Sequence, residues 1–287
     1  MFWAIFNAFI SSSALVIWKK SLELNKLSQN LFMFLGTLGG FAVSIFFIIF
    51  GFTSFPWDFI LAIIGMIFIA VVTIIMGFLG QKTYRDEKIS VLTPFTNIDR
   101  ILLIIISFFL FKNTSIISFG IALITVIILT LFAIDFSNFR LPKNFGLIIL
   151  NNVLSTAKVL TIGWLFSKNI SSLSFYSYNT ILYALILLIP LVKARQFKEL
   201  KNGSRDFYTY RFGAVIIGQI TAIIGFFLLE KLGIIVSNLL GFLTLGATLL
   251  FSYLFLGDKP CKKDIASVVI ISILVAIGYY FKDYGIN

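Results

Sequence analysis

The sequence predicts an all-α polytopic membrane protein, with ten transmembrane helices arranged as two inverted five-helix repeats around a central cavity. Three observations predict it. The chain of 287 residues is 59% hydrophobic and only 12% charged, with mean hydropathy +1.03. Its apolar residues fall in ten continuous blocks, each of roughly 17 to 25 residues and so long enough to cross about 30 Å of hydrocarbon as a helix. The first helix of each set of five opens with a related polar phrase, Asn7-Ala-Phe-Ile-Ser11-Ser12 and Asn151-Asn-Val-Leu-Ser155-Thr156. The short alternating segments of a membrane β-barrel are absent, which leaves helices as the spanning structure.

The first span is expected over Phe2 to Trp18. It runs into Lys19-Lys20 without a small-residue cleavage site, and so reads as a retained helix rather than a signal peptide. Further spans are expected over Leu31 to Phe52, Asp58 to Gln81, Lys88 to Phe111, Ser115 to Ala133, Phe145 to Phe166, Leu173 to Val192, Tyr208 to Leu229, Gly233 to Leu256 and Asp264 to Phe281. The loop Asn138-Phe-Arg140-Leu-Pro142-Lys143 divides a first repeat, residues 1–138, from a second, residues 139–287. The longest polar stretch, Lys193 to Arg205, follows helix seven. Because five is odd, the second repeat enters from the opposite side, and a binding site is expected near the midplane where the repeats meet.

Loops after helices one, three, five, seven and nine hold 17 Lys and Arg, counting with them Lys88 and Arg211 in the first turn of helices four and eight, against Lys112, Lys168, Lys231 and Lys282 on the other side. Arg100 and Lys158, within spans, complete the 23. The positive-inside rule then places the cation-rich loops in the cytoplasm and both termini outside. Topology thus explains the net charge of +11, and nucleic acid is not an expected partner. The chain has no histidine, and its single cysteine, Cys261, lies in a charged loop. Zinc, haem, iron-sulfur and disulfide chemistry lack their ligands, so no metal or cofactor is expected.

Helix four concentrates the polar residues. Thr93, Thr96, Asn97 and Arg100 share an arc of about 100°, with Asp99 about 60° beyond Thr96. Asp99 lies about 16 Å from Lys88 along the helix, near the middle of the bilayer, where a charge costs about 2.5 to 3.5 kcal/mol. Pro94, inside the same helix, frees the carbonyl of Ser90 and is expected to kink the helix near the polar patch. Helix six offers the stripe Asn151, Ser155 and Lys158, which places Lys158 about 18 Å from Gly146 and at the depth of Asp99. Two readings stand together. Arg100 and Lys158 receive an anionic group while Asp99 receives an amine or proton, or Asp99 and Lys158 form a structural ion pair. Helix nine carries Ser237, Gly241, Thr244 and Thr248, and helix two carries Gly36-x-x-x-Gly40; both patterns also suit plain helix packing. In helix seven Tyr176, Asn179 and Tyr183 share a face, with Tyr176 close enough to the interface to be an aromatic anchor. The candidate substrate-binding set is therefore Asn7, Ser11, Thr96, Asn97, Arg100, Asn151, Ser155, Lys158, Asn179, Tyr183, Ser237 and Thr244, with Asp99 the proton-coupling candidate.

Two segments resemble the EamA-type drug/metabolite transporter superfamily. They are Tyr84-Arg-Asp-Glu-Lys-Ile-Ser90-Val-Leu-Thr-Pro94, running to Phe111-Lys112-Asn113, and Leu229-Glu-Lys-Leu-Gly233-Ile-Ile-Val-Ser237, running to Leu256-Gly257-Asp258-Lys259. The resemblance spans nearly the whole chain and implies two five-helix repeats around a cavity, moving amino acids, other metabolites, drugs or nucleotide sugars by alternating access. It also implies cytoplasmic termini, against the loop count. Many members place a glutamate where helices four and nine end; here those positions read Lys112-Asn113 and Asp258. The expected function is secondary transport or efflux of a small amphipathic or amino-acid-like solute across the cell membrane, by a monomer or homodimer. With no phosphate-binding loop, ATP is not the direct energy source. Related and competing readings are flipping of a lipid-linked sugar, an intramembrane enzyme, and an assembly or receptor protein; enzymatic activity is not expected.

Overall fold

The computed structural model describes residues 1–55, 60–87, 92, 95, 98–110, 119–121, 123–125, 127, 142–257 and 262–280. Among them there is no strand. The helices are α1 (Phe2–Glu23), α2 (Gln29–Ile49), α3 (Ile60–Asp86), α4 (Ile98–Leu110), α5 (Phe145–Ser167), α6 (Ser172–Lys193), α7 (Arg205–Gly241), α8 (Leu243–Leu256) and α9 (Lys262–Tyr280), with a short 3-10 helix at Gln196–Asn202. Six of the described helices, α1 to α3 and α5 to α7, are long and apolar enough to cross a membrane. The expected helix five lies mostly outside the described residues, as do Thr93, Pro94, Thr96 and Asn97 of helix four and the loop cysteine Cys261.

Apolar side chains cover the outside of the bundle as well as its interior, and small polar groups are buried among them. Ile49, Ile60 and Phe109 are exposed, while Ser12, Ser44, Ser107, Asn152, Thr156, Ser177, Arg211 and Thr248 are buried. That distribution suits a bilayer, where lipid is as apolar as leucine and helices associate through close packing and hydrogen bonds between polar groups.

Most boundaries fall within a few residues of those the hydropathy predicts, and the differences have local causes. α1 runs five residues past Trp18, because Lys19 turns inward and its ammonium donates to the Glu87 carbonyl at 2.6 Å. α7 starts at Arg205, capped by Ser204, whose Oγ accepts from the Phe207 amide at 3.1 Å. Inside α7 the helix breaks at Gly233 (φ 73°, ψ 175°), the residue where the ninth span is expected to begin. That backbone region is open essentially to glycine alone, so the sequence dictates the corner.

Hydrogen bonds sort the described loops into two ends of the bundle. At one end Glu199 accepts from the Ser28 amide at 2.6 Å, and Glu87 accepts from the Lys143 amide at 3.0 Å. At the other, Glu230 accepts from the Ser172 amide at 2.8 Å and Ser174 from the Ser54 amide at 3.1 Å. The first group belongs to the lysine- and arginine-rich loops. Three apolar clusters fill the interior, around Leu239 and Phe242, around Met66 and Phe175, and around Leu31 and Phe207.

Candidate functional site

A buried polar seam runs between α4 and its neighbours. Asn152, Ser155 and Thr156 lie at i, i+3 and i+4, on one face of α5. Ser155 Oγ donates to Asp99 Oδ2 at 2.7 Å, Asn152 Nδ2 to the Phe95 carbonyl at 2.7 Å, and Thr156 Oγ1 to the Asp99 carbonyl at 3.4 Å. Asp99 Oδ1 is buried and has no hydrogen-bond partner among the described residues. Lys158 is within electrostatic range of Asp99, yet the two form no ion pair within 4.0 Å. The pairing that equal depth suggested is therefore replaced by a hydrogen bond to Ser155, one turn earlier on α5.

Adjacent helical residues point about 100° apart, and Arg100 accordingly faces α8 while Asp99 faces α5. Arg100 Nη2 donates to Thr244 Oγ1 at 3.1 Å, and the guanidinium lies 5.2 Å from the centroid of Phe242. Gly241 makes room, since a Cβ there would sit 3.2 Å from Arg100 Cζ. α1 closes the seam, with Ser12 donating to the Thr244 carbonyl at 3.1 Å and Thr248 donating to Ser12 at 3.0 Å. The seam thus joins α1, α4, α5 and α8, which are expected helices one, four, six and nine.

A separate cavity of about 480 Å³ has Asn151 of α5 in its wall. Its walls come from α1, α2, α3, α5, α6 and α7 rather than from the seam helices alone. Trp18, Tyr84, Asn151 and Arg211 all lie near the helix ends that carry the cationic loops, so the cavity is offset toward that side. Arg211 is 4% exposed. Its Nη2 donates to the Phe32 carbonyl at 2.6 Å, and its guanidinium stacks 3.9 Å from the centroid of the Phe32 ring. Beside it Gln219 Oε1 accepts from the Tyr176 hydroxyl at 2.8 Å, and Gln219 Nε2 reaches the Gly36 carbonyl at 3.5 Å.

Glycines shape this wall. A Cβ at Gly36 would collide with Arg211 Nη2, and one at Gly40 would sit 2.6 Å from Gln219 Oε1. The Gly36-x-x-x-Gly40 pattern is thus a packing surface, but for polar side chains rather than for a bare helix backbone.

Of the expected site residues, Asn151 and Tyr183 line the cavity; Asp99, Arg100, Ser155 and Thr244 form the seam. Asn7 packs 3.7 Å from a Cβ placed on Gly225, and among the described residues its buried Oδ1 and that of Asn179 have no hydrogen-bond partner. Ser11 donates to the Ala8 carbonyl of its own helix at 3.1 Å. Ser237 is half-buried on the arm of α7 that follows Gly233. Two readings need correction. Arg211, counted among the loop cations, is buried in the cavity wall because α7 begins two turns before it. Tyr176 is 2% exposed and hydrogen-bonded, and is no interfacial anchor.

No family model and no curated protein matches the chain. The chain is similar to a solved structure described only as a "Crystal structure of protein", with a TM-score of 0.64 and 13% sequence identity. The likeness covers 97% of this chain and 96% of that one. At that identity the two share a fold, from end to end.

Proposed function

We propose that the protein is a secondary transporter of a small amphipathic or amino-acid-like metabolite, working by alternating access in the cell membrane. The cavity carries this reading. It is a space of about 480 Å³ inside a helical bundle, apolar over most of its wall, with Arg211, Gln219, Tyr183 and Asn151 converging on it. Solute-sized cavities with a few placed polar groups are the usual form of small-molecule sites.

Internal correspondence supports the EamA-like arrangement of ten spans in two inverted repeats. Shifting the chain by 144 residues carries Asn7, Ser11, Ser12 and Ser28 onto Asn151, Ser155, Thr156 and Ser172. The same shift carries the start of each of α1 and α2 to within a residue of the start of α5 and α6. Ser12 and Thr156 make matching bonds. Each hydroxyl shares its one proton between the carbonyl four residues back, at 2.8 and 2.9 Å, and a carbonyl on a crossing helix, Thr244 at 3.1 Å or Asp99 at 3.4 Å. Packing follows the same exchange, with α1 on α7 and α8 answering α5 on α3 and α4, and α2 on α7 answering α6 on α3. A bundle of two such halves converts a cavity open to one side into one open to the other when the halves trade conformations.

The test is solute uptake by purified protein in liposomes, with labelled amino acids and other metabolites, with and without a pH gradient, beside Asp99→Asn and Lys158→Met. Saturable flux is expected, driven by the gradient and lost in the Asp99 variant. Absence of flux across the whole panel overturns the reading.

A further inference from the structure

Among the described residues that line the cavity, Arg211 is the one with a formal charge. No acidic residue is among the described residues that line it, and Arg211 makes no ion pair within 4.0 Å among the described residues. A buried guanidinium without a counter-ion is costly. Among the described residues Arg211 makes a single hydrogen bond, from Nη2 to the Phe32 carbonyl, and its Nε has no partner. A guanidinium has five N–H donors in a planar fork, so most of its capacity for a carboxylate is unspent. The fork is also held in place, sandwiched between the Phe32 ring and the bare backbone of Gly36. Asp99, the deep acid, is turned away from the cavity toward Ser155.

We propose that this cavity is an organic-anion site, with Arg211 receiving the carboxylate of a solute whose apolar body lies against Trp18, Met33, Met76 and Val215. The Tyr183 hydroxyl, which lines the same space, supplies a second donor; its present contact is the Met33 sulfur at 3.9 Å, a weak acceptor that a carboxylate oxygen would outcompete. Met33 also fits the role of a movable filler, since its side chain lies where a Cβ on Gly77 would be and its three rotatable bonds let it retreat. The volume admits a solute of roughly ten to twenty heavy atoms by comparison with drug-sized pockets. A cationic or neutral solute of the same shape gains nothing from Arg211 and leaves its charge unanswered. The inference names the substrate class of the proposed transporter and depends on that reading only for translocation, not for binding.

Binding is tested on the intact chain in detergent by isothermal titration with 4-phenylbutyrate, 4-phenylbutyramide and 4-phenylbutylamine, which share one body and differ in charge. The carboxylate is expected to bind at least about tenfold more tightly than the amide, a difference of about 1.4 kcal/mol. Arg211→Gln is expected to abolish that preference, Arg211→Lys to keep part of it, and Lys168→Gln, an equal loss of charge at an exposed site, to leave it intact. If the glutamine variant does not fold, the comparison among the three probes on the unaltered protein decides alone. Equal binding of the amide, tighter binding of the amine, or no carboxylate binding overturns the anion site. Competition by phosphatidylglycerol keeps the site but assigns it to a lipid anion. Arg211-dependent carboxylate binding without flux in liposomes leaves the anion site standing and removes transport; flux of amines that ignores Arg211 does the reverse.

Discussion

Ser155 and Asp99 hold each other at 2.7 Å across α5 and α4, while Lys158, three residues further along α5, stays outside ion-pair distance. Removing the serine hydroxyl leaves the carboxylate with no side-chain hydrogen-bond partner among the described residues. Ser155→Ala is expected to cost about 1–3 kcal/mol, read as a shift in the SDS concentration that unfolds the protein. Lys158→Met is expected to cost less than Ser155→Ala, because among the described residues Lys158 makes no ion pair within 4.0 Å. A large loss in the lysine variant would mean that the two charges are a structural pair after all.

The glycines of the cavity wall differ in a way that a thermal melt can read. Gly36→Ala forces the Arg211 guanidinium off its seat and is expected to destabilise by about 1–3 kcal/mol, the usual scale of overpacking. Gly80 lines the same cavity, but nothing lies within 4 Å of a Cβ placed there. Gly80→Ala is therefore expected to be neutral or to stabilise by up to about 1 kcal/mol through helix propensity.

Gln219→Ala strands the buried Tyr176 hydroxyl, at an expected cost of about 1–3 kcal/mol. Adding Tyr176→Phe removes the stranded group and should recover part of that loss. A double-mutant cycle with no coupling between the two changes would show that the hydroxyl finds another partner.

Gly233→Ala places a side chain at φ 73°, ψ 175° and is expected to cost about 1–3 kcal/mol of strain. The melting temperature measures this. An unchanged melt would show that the corner relaxes.

The apolar runs made α1, α2, α3, α5 and α6 legible, because a membrane span needs a fixed length of continuous hydrophobicity and little else. The corner at Gly233 was legible as the gap between two runs. Lys158 shows where such reading stops. Counting residues gives depth, but not which way a side chain points around the axis, so equal depth left an Asp99–Lys158 ion pair as one of two readings, whereas Asp99 bonds to Ser155. Arg211 was lost for a different reason. It comes after the polar stretch Lys193 to Arg205 closely enough to read as the tail of a loop, and its role depends on Phe32 and Gly36, 179 and 175 positions earlier. The one local sign of it was the Gly36-x-x-x-Gly40 pair, which announces a close approach without naming what approaches. Thr96 and Asn97 lie outside the described residues, so helix four is legible in structure only from Ile98 onward, apart from Leu92 and Phe95.

Trp18 stands in the cavity wall, while Trp3 is more than half exposed on the outer surface of the same helix. The molecule therefore carries an indole on each side of its own wall. Brominated acyl chains would darken the emission of Trp3 and spare Trp18, whereas a solute entering the cavity would shift the emission of Trp18 and leave Trp3 unchanged. Once Trp57 and Trp164 are replaced by phenylalanine, occupancy can be followed by the protein's own colour, with no label attached.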